Sequence, residues 1–151
     1  MEVTETTASQ DLKVIVFQLK DEEYAIEVDY VQSIERMQTV TRIPKVSPYI
    51  IGVMNLRGII TPVIDLRKRF GIEEKKYDET TRILVLSKDN IELGLIVDSA
   101  NDVIDIPAEK IEPTPEVVGS VEEEYLRGVI KLDRRLFTLL NLDKVLHDKQ
   151  S

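Results

Sequence analysis

Cysteine and tryptophan are absent from these 151 residues, and histidine occurs once, at His147. Without cysteine there is no disulfide, no thiolate nucleophile and no thiolate metal site. A single histidine excludes a multi-histidine metal centre, and its place near the C-terminus argues against a Ser-His-Asp triad. The six glycines, at positions 52, 58, 71, 94, 119 and 128, form neither the P-loop pattern GxxxxGK nor GxGxxG. The backbone cradles for nucleotide phosphates are therefore missing, and neither an ATP-dependent activity nor a cofactor is expected. Three phenylalanines and five tyrosines are few platforms for stacking a sugar and too few to line a polyproline groove. No apolar run approaches the roughly 20 residues that span a bilayer, so no membrane insertion is expected. Met1 to Gln10 is polar, a loose tail and not a signal peptide, which makes a cytoplasmic location the default. Positive charge is also in deficit: 20 Lys and Arg against 28 Asp and Glu leave a net charge of −8. That balance disfavours a nucleic-acid binder, which needs a basic footprint to release counterions.

What the chain does have is a repeat. At an offset of 76, Gly52-Val53-Met54 meets Gly128-Val129-Ile130, Leu56 meets Leu132, Ile60 meets Leu136, Val63 meets Leu139, Ile64 meets Leu140 and Leu66 meets Leu142. Each stretch reads as strand, tight turn, strand and a short helix opened by a capping residue, Asp65 or Asn141. The matched apolar positions read as core. The turn tips differ, with Asn55-Leu56-Arg57-Gly58 in one copy and Lys131-Leu132-Asp133-Arg134 in the other, the pattern of a scaffold whose tips are free to carry function.

Upstream of each copy stands a β-branched-rich pair of runs: Lys13–Leu19 with Glu23–Val28, and Arg82–Leu86 with Leu93–Val97. Each pair reads as a hairpin, and Val28-Asp29 corresponds to Val97-Asp98. Short segments around Val31, Ile34, Val103 and Ile104 read as a helical turn followed by a further strand. Pro62 lies within the run Ile59 to Asp65 and implies an edge or a bulge there. About five short strands and one helical segment per half, with closely spaced turns, favour two small β-barrels over an open sheet. The terminal helices read as plugs over the barrel ends. The expected organisation is a tail over 1–11, a domain over 12–147 and a second tail over 148–151. Within the domain, subdomain one covers about 12–80 and subdomain two about 81–147, with strand exchange between them an open alternative. Half a chain of this size is marginal alone, so the halves should share an interface.

Arg57 has two readings. With Gly58 it forms a two-residue hairpin turn in which the glycine supplies a positive φ, and its side chain is then an ordinary exposed tip. Alternatively, a rigid hairpin presents five fixed donors to a carboxylate or carbonyl of a partner. Val31 and Val103 read either as core between the barrels or as the lining of a groove for an amphipathic helix. The basic groups Arg67-Lys68-Arg69, Lys75-Lys76 and Arg134-Arg135 read as solvated faces, with docking to an acidic protein surface as the alternative. Glu122-Glu123-Glu124 reads as a solvated run. Asp29, Asp65 and Asp98 read as caps and turn-formers. A carboxylate pair in the cleft between barrels would instead make an enzyme, with glycoside hydrolysis the nearest chemistry.

Phe17-x-Leu19, Glu23-Tyr24-x-Ile26, Thr41-Arg42-Ile43-Pro44, the block from Gly52 to Gly58, Pro62-Val63-Ile64-Asp65-Leu66 and Gly94-Leu95-Ile96-Val97-Asp98 occur in one order. In this the chain resembles the CheW-like family of chemotaxis coupling proteins, from Leu12 to Val145. The resemblance implies a mainly β fold of two SH3-like five-stranded barrels with short helices, packed as one unit. It implies an adaptor without catalysis or cofactor, bridging the cytoplasmic tips of transmembrane chemoreceptors and the regulatory domain of the histidine kinase CheA in a signalling array. Carried over residue by residue, it assigns receptor binding to Arg57, Val31 and Val103, and to Ser33, a position where other members can have glutamate. It assigns the kinase-facing surface to Ile43, Pro44 and Val46. The other binding-module reading is a regulatory domain for another kinase or for a polar-localisation system.

Overall fold

Residues 13–19 and 82–86 are apolar at almost every position because both faces of the hairpins they open are buried. The computed structural model describes residues 11–43, 50–113 and 125–146. In it β1 (Asp11–Leu19) turns into β2 (Glu22–Glu27), and β6 (Arg82–Lys88) turns into β7 (Ile91–Val97). Val14 and Val16 of β1 face one core, while Ile15, Phe17 and Leu19 face another. On β6, Ile83 and Val85 alternate in the same way with Leu84 and Leu86. The period of two survives, but both phases are hydrophobic.

The remaining strands are β3 (Val31–Arg36), β4 (Ile50–Leu56), β5 (Ile59–Asp65), β8 (Ser99–Pro107), β9 (Ile111–Glu112), β10 (Leu126–Leu132) and β11 (Arg135–Leu140). Two sheets result, ordered β8-β1-β2-β11-β10-β9 and β3-β6-β7-β5-β4. Each is assembled from both repeats. The opening hairpin β1-β2 joins the sheet of the second repeat through the parallel pairing of β2 with β11, and β6-β7 joins the sheet of the first through β7 and β5. The repeat boundary near residue 80 therefore separates stretches of chain, not sheets.

Both sheets close on themselves. β8 and β9 form opposite edges of the six-stranded sheet yet are joined by a single 3-10 turn at Ala108–Lys110. One path of chain thus supplies both edges, and the barrel has five strand paths. In the other sheet the chain leaving β3 returns at Thr41, which exchanges backbone hydrogen bonds with Val53 of β4 at 2.8 and 2.9 Å. The two closures use the same device. Gly52 and Gly128 are repeat-equivalent, and a β-carbon on either would strike the closing strand, 2.1 Å from the Thr41 oxygen or 2.8 Å from the Glu112 oxygen. A β-bulge lies beside each glycine, bending the strand at the closure point.

Pro62 fits the edge expectation locally. Val53, its partner across the ladder, spends its own N–H and C=O on Thr41, so no hydrogen bond from Pro62 is required on that side. On the other side the pairing of β5 with β7 covers Val63 to Asp65.

Three apolar clusters hold the molecule together. Two fill the barrels, around Phe137, Ile130 and Leu139 and around Met54, Val63 and Ile83. The third, larger than both combined, lies between the barrels and takes Phe17, Tyr24, Leu84 and Leu95 together with both helices. Helices α1 (Leu66–Phe70) and α2 (Leu142–Leu146) are therefore not plugs over barrel ends, as their position in the sequence suggests. Leu66, Phe70, Leu142 and Val145 are components of the shared core. The scarce aromatics concentrate there: Phe17, Tyr24, Phe70 and Tyr125 contact one another in series at centroid spacings of 5.3–5.9 Å. Each such side chain contributes about 1.5–3 kcal/mol on burial, so the barrels move as one body.

The first basic cluster is also not the solvated face that its composition suggests. Arg67 and Arg69 are buried. Arg67 grips Asp98 with Nε and Nη2, at 2.9 and 2.6 Å, and donates from Nη1 to the Glu73 carbonyl. The hydrogen bond to Asp98 is the main cause that holds its guanidinium even more firmly protonated than usual. Arg69 reaches the carbonyls of Lys144 and Val145 at the end of α2 and stacks over Tyr125, satisfying acceptors that the helix leaves free. The capping expectation for Asp65 holds, since its Oδ1 accepts from the Arg67 N–H at 2.9 Å.

Candidate functional site

The β4–β5 turn carries Arg57 at φ 53° and Gly58 at φ 88°, the two positive values of a type I′ hairpin. Glycine takes this conformation freely, whereas an arginine is strained there by about 1–2 kcal/mol. Asn55 compensates by accepting from the Gly58 N–H with Oδ1 at 2.8 Å, which locks the tip. At the equivalent turn the left-handed position is taken by Asp133, φ 56°, a residue type that tolerates it better. Arginine is thus held at this tip against the preference of its own backbone.

Its guanidinium reaches back over the sheet. Arg57 Nη2 lies 2.7 Å from Glu35 Oε2, with the arginine side chain 69% and the glutamate 18% exposed. An ion pair this open to water contributes about 0–1 kcal/mol, so Glu35 orients Arg57 without tying up all five donors. Glu35 stands on β3 in the same alternating set as Ser33 and Val31, although the register slips between the latter two.

The other expected site residues separate. Val31 is half-buried against the shared core. The Ser33 Oγ is buried and finds no hydrogen-bond partner among the described residues. Val103 is 57% exposed, on β8 of the other sheet. Arg57 and β3 are brought together through Glu35, and no described contact joins Val103 to them. Ile43 is exposed, whereas Pro44 and Val46 lie outside the described residues, as does the Glu122–Glu124 run.

Pairing registers reveal what the motif reading missed. β3 opposes β6 as β8 opposes β1: Ile34 faces Leu84 and Val103 faces Ile15. At an offset of 69 the equivalent of Val103 is therefore Ile34, not Val31, and Ile34 too is exposed. Ile60 and Leu136, matched at offset 76 and read as core, are 64% and 58% exposed. That reading is corrected: identity of type across a repeat marks an equivalent environment, which here is the surface. Both copies thus present an uncovered aliphatic residue on the strand after the opening hairpin and another just past the second turn. Extending the Asp29–Asp98 correspondence five residues would have found the first pair.

The surroundings of the two faces differ in charge. Beside Leu136, Arg135 bonds Glu23 and Asp102 at 3.0 and 2.9 Å, and those bonds raise its pKa further. The equivalent of Arg135 is Ile59, itself 56% exposed, and the equivalent of Asp102 is Ser33. The exposed Ile59 and Ile60 follow Arg57 in the first hairpin, whereas the exposed Leu136 follows an ion-paired arginine in the second.

A cleft of about 320 Å³ between the sheets is lined in part by Ile26, Glu27, Tyr30, Lys88, Arg127 and Asp143. Its two carboxylates already have cations, Glu27 with Arg127 and Asp143 with Lys88, an arrangement that suits structure better than acid–base work. Among the described residues no cluster of histidine, aspartate and glutamate could hold a metal ion, and no helix is long and apolar enough to cross a membrane.

The sequence profile described as "CheW-like domain" matches residues 13–150. The chain is 46% identical over 139 residues to the chemotaxis protein CheW of Bacillus subtilis, covering 92% of this chain and 88% of that one. It is 39% identical to the chemotaxis protein CheW of Klebsiella aerogenes, covering 90% and 82%. The crystal structure of the scaffolding protein TtCheW from Thermoanaerobacter tengcongensis superposes with a TM-score of 0.85 at 32% identity, over 94% of this chain and 92% of the other. The two SH3-like barrels expected from the sequence are the architecture observed.

Proposed function

The chain belongs to the CheW-like domain family of chemotaxis scaffolds, and from that premise we propose that it is a non-enzymatic adaptor coupling chemoreceptor tips to the regulatory domain of the histidine kinase CheA. The observation that carries this reading is that both repeats leave aliphatic side chains uncovered at equivalent positions, Ile34 and Ile60 in one and Val103 and Leu136 in the other, on two barrels joined by one core. A shared core that fixes the two barrels fixes the separation and orientation of whatever docks on each. Rigid spacing, not chemistry, is what such a body contributes. It acts in the cytoplasm, recruited to receptor arrays at the membrane.

In this reading the receptor's helical tip lies against β3 and the β4–β5 hairpin, with Arg57 turning from Glu35 to a carboxylate or carbonyl of the receptor. Ser33 and Val31 stand behind it, and Val103, on the other sheet, contributes to the same receptor-binding groove between the barrels. The kinase-facing surface includes Ile43 and runs into Pro44 and Val46. Ser33, where other members can carry a carboxylate, leaves receptor recognition here to depend more on Arg57.

Co-sedimentation with receptor-bearing membranes tests this, with kinase regulatory-domain binding followed in parallel. Arg57→Ala is expected to weaken receptor binding by about 10- to 100-fold, the value of a desolvated charge-assisted hydrogen bond, and to leave kinase binding intact. Unchanged receptor binding removes Arg57 from the site, and loss of both activities means that the variant misfolds.

A further inference from the structure

The stretch between the repeats, Glu74 to Tyr77, walls a cavity of about 370 Å³ on the first barrel. Its floor is aliphatic: Met37, Val40 and Ile51, each half-buried against the barrel interior. Cations crowd its rim, where Arg42, Lys68, Lys75 and Lys76 face only two carboxylates, Asp65 and Glu74. This local excess of positive charge runs against a chain of net charge −8.

The carboxylates are already engaged. Asp65 accepts from the Arg67 N–H and from the Tyr77 hydroxyl, the latter at 2.7 Å. Glu74 pairs with Lys68 at 3.4 Å, and Lys75 turns to Asp78 at 3.7 Å. Arg42 and Lys76 have no ion pair among the described residues. The bond to Asp65 fixes the Tyr77 ring as a standing wall. The cavity therefore combines an apolar floor, an ordered aromatic side and two cations, Arg42 and Lys76, with no ion pair among the described residues.

We propose that this cavity binds an acidic peptide segment of a partner protein, an aliphatic or aromatic side chain resting on Met37, Val40 and Ile51 while flanking carboxylates meet Arg42 and Lys76. The match is one of charge and shape. Carboxylates pair well with dispersed lysine and arginine donors at a rim, whereas a nucleotide's phosphates call for a glycine-rich backbone cradle that the chain does not have. Arg42 adjoins Ile43 in the chain, so the cavity borders the proposed kinase-facing surface; peptide binding measured without the kinase stands or falls separately from that reading.

The test uses the full chain and a fluorescein-labelled peptide with three glutamates on each side of a Leu-Phe-Leu centre, read by fluorescence anisotropy. Saturable binding is expected, weakened by added salt and at least about tenfold weaker for a lysine-flanked twin. Arg42→Glu with Lys76→Glu should abolish it without changing the melting temperature, because both side chains are exposed. Val40→Ser should weaken it while leaving its salt dependence in place. Equal binding of both twins, or binding indifferent to the double reversal, overturns the proposal. So does stronger, reversal-sensitive binding to phosphatidylglycerol vesicles, which would make the rim a lipid contact.

Discussion

Gly52→Ala is expected to destabilise the protein by about 3–5 kcal/mol, and Gly128→Ala, at the same place in the second repeat, by about 1–2 kcal/mol. Both replace a glycine crossed by the strand that closes its barrel. At Gly52 the new β-carbon lies 2.1 Å from the Thr41 carbonyl oxygen and 2.8 Å from its carbon, so only backbone can yield. Thr41 must withdraw, and with it go the two hydrogen bonds to Val53 that close the sheet. At Gly128 one nearest atom is a side-chain methyl of Ile111, which can rotate, and the Glu112 oxygen stands farther off at 2.8 Å. Urea unfolding of both variants measures the difference. Equal losses would mean that the closing strand at Glu112 yields no more easily than the one at Thr41, and a negligible loss at Gly52 would mean that Thr41 does not cross there.

These glycines also show how far the sequence could be read. Gly52 and Gly128 align at once, because the closure requires a missing side chain and the requirement recurs. The hairpins and turns were legible for the same local reason. Strand exchange was not, since a hairpin with two apolar faces does not specify which sheet it enters. The parallel pairing of β2 with β11 is long-range, and it leaves no mark on the residues between. Ile60 and Leu136 mislead because an apolar match across a repeat suggests burial, when it reports only that two environments are alike. Arg67 and Arg69 misled because charge near a helix usually means solvent, and a buried guanidinium betrays itself only through partners such as Asp98 and Val145, 31 and 76 residues away. For the candidate site, the Asn55-Leu56-Arg57-Gly58 motif located the turn, but its ion pair with Glu35 depends on β3 folding beneath the tip.

Arg67→Met is expected to cost about 3–5 kcal/mol, because it strands a charged Asp98 that is 13% exposed and leaves the Glu73 carbonyl without its donor. Asp98 also accepts from the Lys20 N–H at 2.7 Å, so one carboxylate ties α1 to the turn of the opening hairpin and to the end of β7. Arg67→Met combined with Asp98→Leu should recover part of the loss, since replacing both charges removes the burden of desolvating either. The pair also sets an acid limit. Burial alone would raise the Asp98 carboxyl, but the bonds from Arg67 and Lys20 and the guanidinium charge outweigh it and hold the pKa below the ordinary carboxylate value. The unfolded chain then binds the proton more readily than the folded one. The stabilisation is therefore complete above the unfolded value, about 3.9, and is lost as pH falls through the lower folded value. Thermal unfolding followed from about pH 6 to about pH 2 should show a shallower acid limb in Asp98→Asn than in the parent. Asp78, lowered to about 2 by hydrogen bonds from the Thr80 hydroxyl and N–H, titrates in both proteins, so the difference between the two limbs isolates Asp98. Superimposable limbs would show that Asp98 carries no such linkage and that Arg67 contributes through packing and its bond to the Glu73 carbonyl.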